Sequence, residues 1–185
     1  FANLLHHSLV DVASGQFHDF IDIGAAALTM VAHSKDISVD EATAKDTIKK
    51  HITRLPAHDD VVPTLKALQS AGVTLVALSN SSKAGLDAQL EFANIKPYFS
   101  HVLSVESVRT YKPHAAVYHW ACQQGNVKNE DAMMVAAHGW DVSGAKATGM
   151  QTVFVERSGK MVYPLGIAPD HSIASLTALI EMISS

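Results

Sequence analysis

The sequence predicts an α/β fold: a parallel sheet with helices on both faces, preceded by a small all-helical unit. Three observations predict it. From residue 57 onward, short apolar runs alternate with helix-length segments, as the repeats of a parallel sheet do. The first of those runs is continuous rather than alternating in polarity, as a strand buried on both faces requires. Residues 1–56 contain no strand candidate and carry apolar positions at helical spacing.

The elements follow in order. Leu4, Leu5, Leu9, Val10 and Val12 mark a first helix, broken at Gly15. Phe17, Phe20, Ile21 and the run from Ile23 to Met30 mark a second. Ser38 followed by Glu41 reads as a capping box that opens a third, which continues through Ile48 and Ile52. The pattern changes near Pro56. Val61 to Ala71 is helical and stops at Gly72. Val73 to Leu78 is the first strand and Ser82 to Phe92 a helix. His101 to Val105 is the second strand. Ala115 to Gln124 is a helix ended by Gly125. Ala132 to Ala136 is the third strand, Asp141 to Thr148 a helix ended by Gly149, and Gln151 to Val155 the fourth strand. Ile173 to Ile183 closes the chain as a helix. The expected division is a helical unit over 1–56 and a Rossmann-like core over 57–185.

A hydrophobic share of 48% and a charged share of 17% fit an ordinary globular protein. The net charge of −4 gives no basic footprint, so no nucleic-acid partner is expected. No run of 18 apolar residues occurs, so no membrane span is expected. The lone Cys122 excludes an internal disulfide framework and fits a reducing, cytoplasmic setting. It lies in a helical stretch without a glycine turn and reads as a buried structural thiol. The first residue is Phe1, not Met, inside a helix-like segment. A longer native chain is therefore expected.

Ligands of parallel sheets bind at the carboxyl ends of the strands, so the residues just after each apolar run are the informative ones. The first run ends in Ser79-Asn80-Ser81-Ser82. These side chains can meet an anion or simply cap the next helix. After the second run come Tyr111-Lys112-Pro113, with Tyr118 six residues beyond Lys112. Lys112 can meet negative charge in the crevice or be a solvated loop lysine, and Tyr118 can pack on its helix. The third run ends in Ala136-Ala137-His138-Gly139-Trp140-Asp141. Asp141 can be the N-cap of the following helix or a site carboxylate. His138 and Trp140 fall in the same strand-end layer.

In order and spacing, these segments resemble the haloacid dehalogenase (HAD) superfamily, and within it the type II 2-haloacid dehalogenases. The resemblance lies in Leu78-Ser79-Asn80-Ser81-Ser82, in Leu103-Ser104-Val105 through Tyr111-Lys112-Pro113 to Tyr118, and in Trp140-Asp141 with Gly144-Ala145. In the helical front part, Phe17-His18-Asp19-Phe20 and Ala26-Ala27-Leu28 look like the family's cap domain.

The resemblance implies a HAD-like Rossmannoid sheet with a helical cap, no metal or other cofactor, and a short 2-haloacid substrate. It also implies a homodimer. The implied reaction is nucleophilic catalysis by an aspartate that displaces halide and forms an ester, which water then cleaves to a 2-hydroxy acid. By position, Ser79 and Asn80 would bind the substrate carboxylate or the halide region. Lys112 would hold the nucleophile's charge and steady the ester. Tyr118 would support Lys112, Asp141 would orient Lys112 or the hydrolytic water, and Trp140 would wall the pocket.

The sequence departs from the family pattern in three places. The nucleophile's Asp-x-x-Gly-Thr motif does not occur in the 185 residues, and Asp11, Asp19 and Asp22 lack the Gly-Thr that should follow. The substrate-gripping arginine would fall at or before Phe1. Ala136-Ala137-His138 stands where these dehalogenases often carry Ser-Ser-Asn. A neutral imidazole can take a proton from water, which an amide cannot, so His138 is a candidate general base for ester hydrolysis. Two rival readings remain. A magnesium-dependent phosphatase would need an acid at Ala137, where a hard oxygen ligand is absent. A truncated, non-catalytic module would leave the Ser79, Asn80, Lys112, Tyr118 and Asp141 set without a use.

Overall fold

The computed structural model describes residues 1–183. The chain groups into two compact units. The first comprises residues 1–56, 78–97 and 102–111; the second comprises 57–77, 98–101 and the chain from 112 onward.

In the first unit, helices α1 (Ala2–Ser14), α2 (Phe20–His33) and α3 (Glu41–Ile52) pack together. Gly15 ends α1 in the left-handed conformation at φ 69°, and its N–H returns to the carbonyls of the last turn. Asp19 caps α2, accepting the Ile21 N–H at 2.7 Å. The cap of α3 is Asp40, which accepts the Thr43 N–H at 2.9 Å. Ser38 therefore does not open this helix: Asp40 is an equally good cap and sits immediately before the first helical residue. The three helices meet closely at Gly24, where a Cβ would stand 2.8 Å from both Ile48 Cγ2 and Leu4 Cδ1. Leu4, Phe20, Ile23, Ala25, Ala27 and Ala44 form the buried interior. Helix α5 (Lys83–Phe92), capped by Ser82, completes this unit.

In the second unit, α4 (Val61–Ser70) ends at Gly72, φ 79°. Strands β1 (Val76–Ser79) and β2 (His101–Ser104), whose carboxyl-end residues Leu78–Ser79 and Val102–Ser104 fall in the first unit, form a two-stranded sheet. Strand β1 is shorter than the apolar run predicts. The Val73 N–H is held by the Leu68 carbonyl at 3.0 Å, which closes α4 and keeps Val73 out of the ladder. Its residues are half-buried rather than buried on both faces.

Helix α6 (Ala115–Gln124) matches its predicted limits and ends at Gly125, which keeps a right-handed conformation at φ −80°. Asn126 takes the left-handed conformation, φ 53°. Strands β3 (Met133–Ala136), β4 (Gln151–Val155) and β5 (His171–Ile173) form a parallel sheet in the order β3-β4-β5. Met133 pairs with Gln151 and Ala136 with Phe154; Val153 pairs with His171 and Val155 with Ile173. Ile173 is thus the end of a strand, and the closing helix α8 starts only at Ala178. Helix α7 spans Gly139–Lys146. Leu68, Val153, Val155, Ile173 and Leu179 form the core of this unit. Cys122 is buried in it, and burial pushes its thiol above the usual range, which suits an inert packing residue. Among the described residues no helix is long and apolar enough to cross a membrane.

Candidate active site

The parallel pairing of β3 and β4 brings their carboxyl ends to one edge of the sheet, the place where α/β proteins hold ligands. Three candidates of the second unit converge there. Lys112 Nζ lies 2.6 Å from Asp141 Oδ2, and Tyr118 Oη donates to Asp141 Oδ1 at 2.7 Å. The same hydroxyl lies 3.1 Å from the Asp141 carbonyl. All three are withdrawn from water: Lys112 is 7% exposed, Asp141 4% and Tyr118 0%. Such a buried pair persists only when the remaining lone pairs and protons are satisfied. Tyr118 supplies that second partner to the carboxylate, so it supports Asp141 rather than contacting Lys112 through this bond. Burial first, then the Asp141 charge, holds the Tyr118 phenol far above its ordinary range, so it remains a donor.

The local fold sets this geometry. Asp141 is not the N-cap of α7. His138 occupies that place without a capping bond from its side chain, and Asp141 falls in the first turn, where the helix dipole favours a carboxylate. Gly144, one turn on, lets α7 approach the Lys112-Pro113 loop. A Cβ there would stand 2.5 Å from Pro113 Cβ and 2.9 Å from Tyr118 Oη.

His138 and Trp140 flank the same turn, with ring centroids 5.4 Å apart. Lys112 Nζ lies 6.0 Å from the Trp140 ring centroid, at the edge of cation–π range. Residues 137–140 and 159–164 line an open cavity of about 360 Å³. Lys160 Nζ lies 3.3 Å from His138 Nε2. Burial first, then the Lys160 charge, holds the half-buried imidazole below its usual range, with Lys112 adding to this and Asp141 opposing it. Lys160 was not among the sequence candidates. The signal that would have found it is positional: it follows β4, whose end shares the edge that holds His138.

Ser79 and Asn80 belong to the first unit. Ser79 Oγ accepts the Ser81 N–H at 3.1 Å, and Ser104 Oγ donates to the Ser81 carbonyl at 2.7 Å. Asn80, Ser81 and Ser104 are buried. This polar strand end is therefore held by a network within the unit, and it is Ser82, not Ser79 or Asn80, that caps α5. Among the described residues no group of three or more His, Cys, Asp or Glu side chains is placed to hold a metal ion.

Residues 4–155 match the family of haloacid dehalogenase-like hydrolases. The chain belongs to this family. It is 30% identical over 180 residues to haloacetate dehalogenase H-2 of Moraxella sp. (strain B), an alignment that takes in 97% of this chain and 80% of that relative. It is 31% identical over 145 residues to the (S)-2-haloacid dehalogenase of Pseudomonas sp. (strain YL), covering 78% of this chain and 62% of that one. Among solved structures, a dehalogenase with an intermediate complex superposes with a TM-score of 0.90 at 27% identity, over 100% of this chain and 81% of the other. The L-2-haloacid dehalogenase of Xanthobacter autotrophicus with covalently bound chloropropionic acid shares the fold, at a TM-score of 0.93 and 24% identity, over 100% and 83% of the two chains. The α/β fold with parallel strands and the family predicted from the strand-end segments thus both hold.

Proposed function

We propose that this hydrolase dehalogenates short 2-haloalkanoic acids to 2-hydroxy acids through an aspartyl ester. The observation that carries the proposal is the buried Lys112–Asp141–Tyr118 set, in a chain that aligns over 97% of its length with a haloacetate dehalogenase. The nucleophile is an aspartate outside the 185 residues. Its carboxylate oxygen attacks the carbon that bears the halogen, and the carbon–halogen bonding pair leaves with the halide. Water then adds to the ester carbonyl carbon and the acyl–oxygen bond breaks. This releases the 2-hydroxy acid and restores the aspartate.

In this reading Lys112 offsets the negative charge of the nucleophile and of the oxyanion that follows. Asp141 fixes the direction of the Lys112 ammonium, and Tyr118 holds Asp141. Ser79 and Asn80 bind the substrate's carboxylate or halide region, and Trp140 walls the pocket. His138 takes the proton from the hydrolytic water; burial and the neighbouring cations keep its imidazole unprotonated near neutral pH. Residues 1–56 serve as the cap domain and 57–185 as the core. The protein works in the cytoplasm as a homodimer, for which the exposed Leu9, Val10 and Met30 of the helical unit supply apolar surface.

The test is halide release from the two enantiomers of 2-chloropropionate and from fluoroacetate by the full-length protein, with and without a chelator. Release that the chelator leaves unchanged is expected. Phosphate-ester hydrolysis that requires Mg²⁺, without halide release, would replace this reading with the phosphatase one. For the base, His138→Asn should accumulate the ester, seen as added substrate mass on the intact protein. Unchanged turnover of the ester removes His138 from the mechanism.

A further inference from the structure

Lys160 is exposed, yet its position is fixed at both ends by backbone. Strand β4 ends at Val155, and the Glu156 N–H is bonded to the Ile173 carbonyl at 2.9 Å. The next residue, Arg157, pairs with Asp60 at 2.7 Å. A turn follows, closed by the Lys160 N–H on the Arg157 carbonyl at 2.9 Å, with Gly159 at φ 70°. That conformation is open to glycine and strained for other residues. Beyond the turn, the backbone of Met161 to Tyr163 lies directly on Gly139, the neighbour of His138. A Cβ on Gly139 would stand 2.5 Å from Tyr163 N and 2.7 Å from Met161 O. Further along, Ser143 Oγ accepts the Ile167 N–H at 3.1 Å. The loop that carries Lys160 and the turn that carries His138 are thus packed backbone to backbone.

The charges around His138 come from three places. Asp141 lies on its own helix, Lys112 on the loop before α6, and Lys160 on the loop after β4. Asp141 and Lys112 are paired at 2.6 Å, and their fields at the imidazole oppose one another. Lys160 is the remaining cation. It lies on Nε2 itself, and an ammonium has only protons to offer. The contact is a bond only if Nε2 presents its lone pair, which puts the ring proton on Nδ1.

We propose that Lys160 is a positioning residue for ester hydrolysis: its ammonium selects the uncharged His138 imidazole with a free electron pair on Nε2. The proposal rests on the reading of His138 as the base. The long, exposed lysine side chain swings aside when water reaches Nε2. The water proton then moves to Nε2 as the hydroxyl oxygen bonds to the ester carbonyl carbon. The resulting imidazolium stands near a like charge, which favours return of that proton to solvent.

The experiment uses the full-length protein with Lys160→Ala, Lys160→Glu and Lys160→Arg. The His138 ring resonance, identified by its loss in His138→Asn, is followed by NMR against pH. Protonation at higher pH is expected in Lys160→Ala, and higher still in Lys160→Glu, with Lys160→Arg close to the parent. In single-turnover hydrolysis of the ester, the acidic limb should move upward in Lys160→Ala. The rate at about pH 5.5 should fall several-fold while the rate at about pH 8 changes less than about twofold. Lys160→Arg should restore the parent profile, which damage to the loop would not. A His138 titration that all three variants leave unmoved overturns the role given to Lys160. A titration that moves while ester hydrolysis is indifferent both to Lys160 and to His138→Asn overturns it by a different route, through the base itself.

Discussion

Replacing Tyr118 by Phe isolates one hydroxyl group. The ring is fully buried and keeps its packing, so the change removes a single oxygen and leaves little new space. That oxygen donates to Asp141 Oδ1 at 2.7 Å. A bond to a charged acceptor contributes about 1.5–3 kcal/mol, and at 4% exposure the carboxylate cannot turn to water for a substitute. Lys112 still engages the other oxygen, so the loss stays within that range and does not reach the larger penalty of an unpaired buried charge. The unfolding free energy of Tyr118→Phe, from urea titration at neutral pH, should therefore fall by about 2 kcal/mol with an unchanged m-value. In a double-mutant cycle with Asp141→Asn, the pair should show a coupling above about 1 kcal/mol. Halide turnover should fall as the Lys112 ammonium loses its fixed direction. A stability loss under about 0.5 kcal/mol, with no coupling, would refute the claim that this hydroxyl holds Asp141.

Gly144→Ala should lower stability by about 1–3 kcal/mol, because the new methyl would stand 2.5 Å from Pro113 Cβ and must push the Lys112 loop away; a shift in urea midpoint with a parallel loss of halide release reports it. Gly139→Ala meets backbone rather than a side chain, so residues 159–166 should exchange amide hydrogens faster, while α6 stays protected, in a hydrogen-exchange comparison with the parent. Asp60 accepts from Arg157, the Leu176 N–H and Ser175, and Arg157 first of all holds its carboxyl down at about 2 against burial. A depressed carboxyl stabilises the fold above its unfolded value and loses that contribution as pH falls. About 2 kcal/mol should therefore disappear between about pH 4 and pH 2; Asp60→Asn should flatten that part of the stability–pH curve relative to the parent.

The legible parts of the fold were those where one physical signal acts alone. Helix α6 and strand β4 match their predicted limits because periodicity and a β-branched run are undisturbed there. Elements were misread where two signals competed. Ser38 and Asp40 are both good caps, and only the backbone decides between them. The apolar run from Val73 exceeds its strand because a helix-closing bond claims its first residue. Strand β5 is three residues long and exists through its pairing with β4, which no local pattern encodes. At the candidate site, Lys112, Tyr118 and Asp141 stand out in the sequence because each follows a strand in a family-like order. Their shared carboxylate was not visible, since it depends on how α7 lies against the Lys112 loop. Lys160 carried only a positional signal, its place in the loop after β4, because a lysine beside a glycine in a loop looks like any other.

The backbone seat of residues 161–163 on Gly139 has a consequence for how this pocket can change over generations or by design. Met161 and Tyr163 line the cavity and are 70% and 54% exposed, so their side chains carry little of the fold. The course of the loop is fixed by main-chain atoms that every amino acid except proline shares in full. Substitutions at these two positions can therefore recontour one wall of the cavity while the loop keeps its path. The contour of that cavity can drift there with small losses of stability, provided position 139 remains glycine.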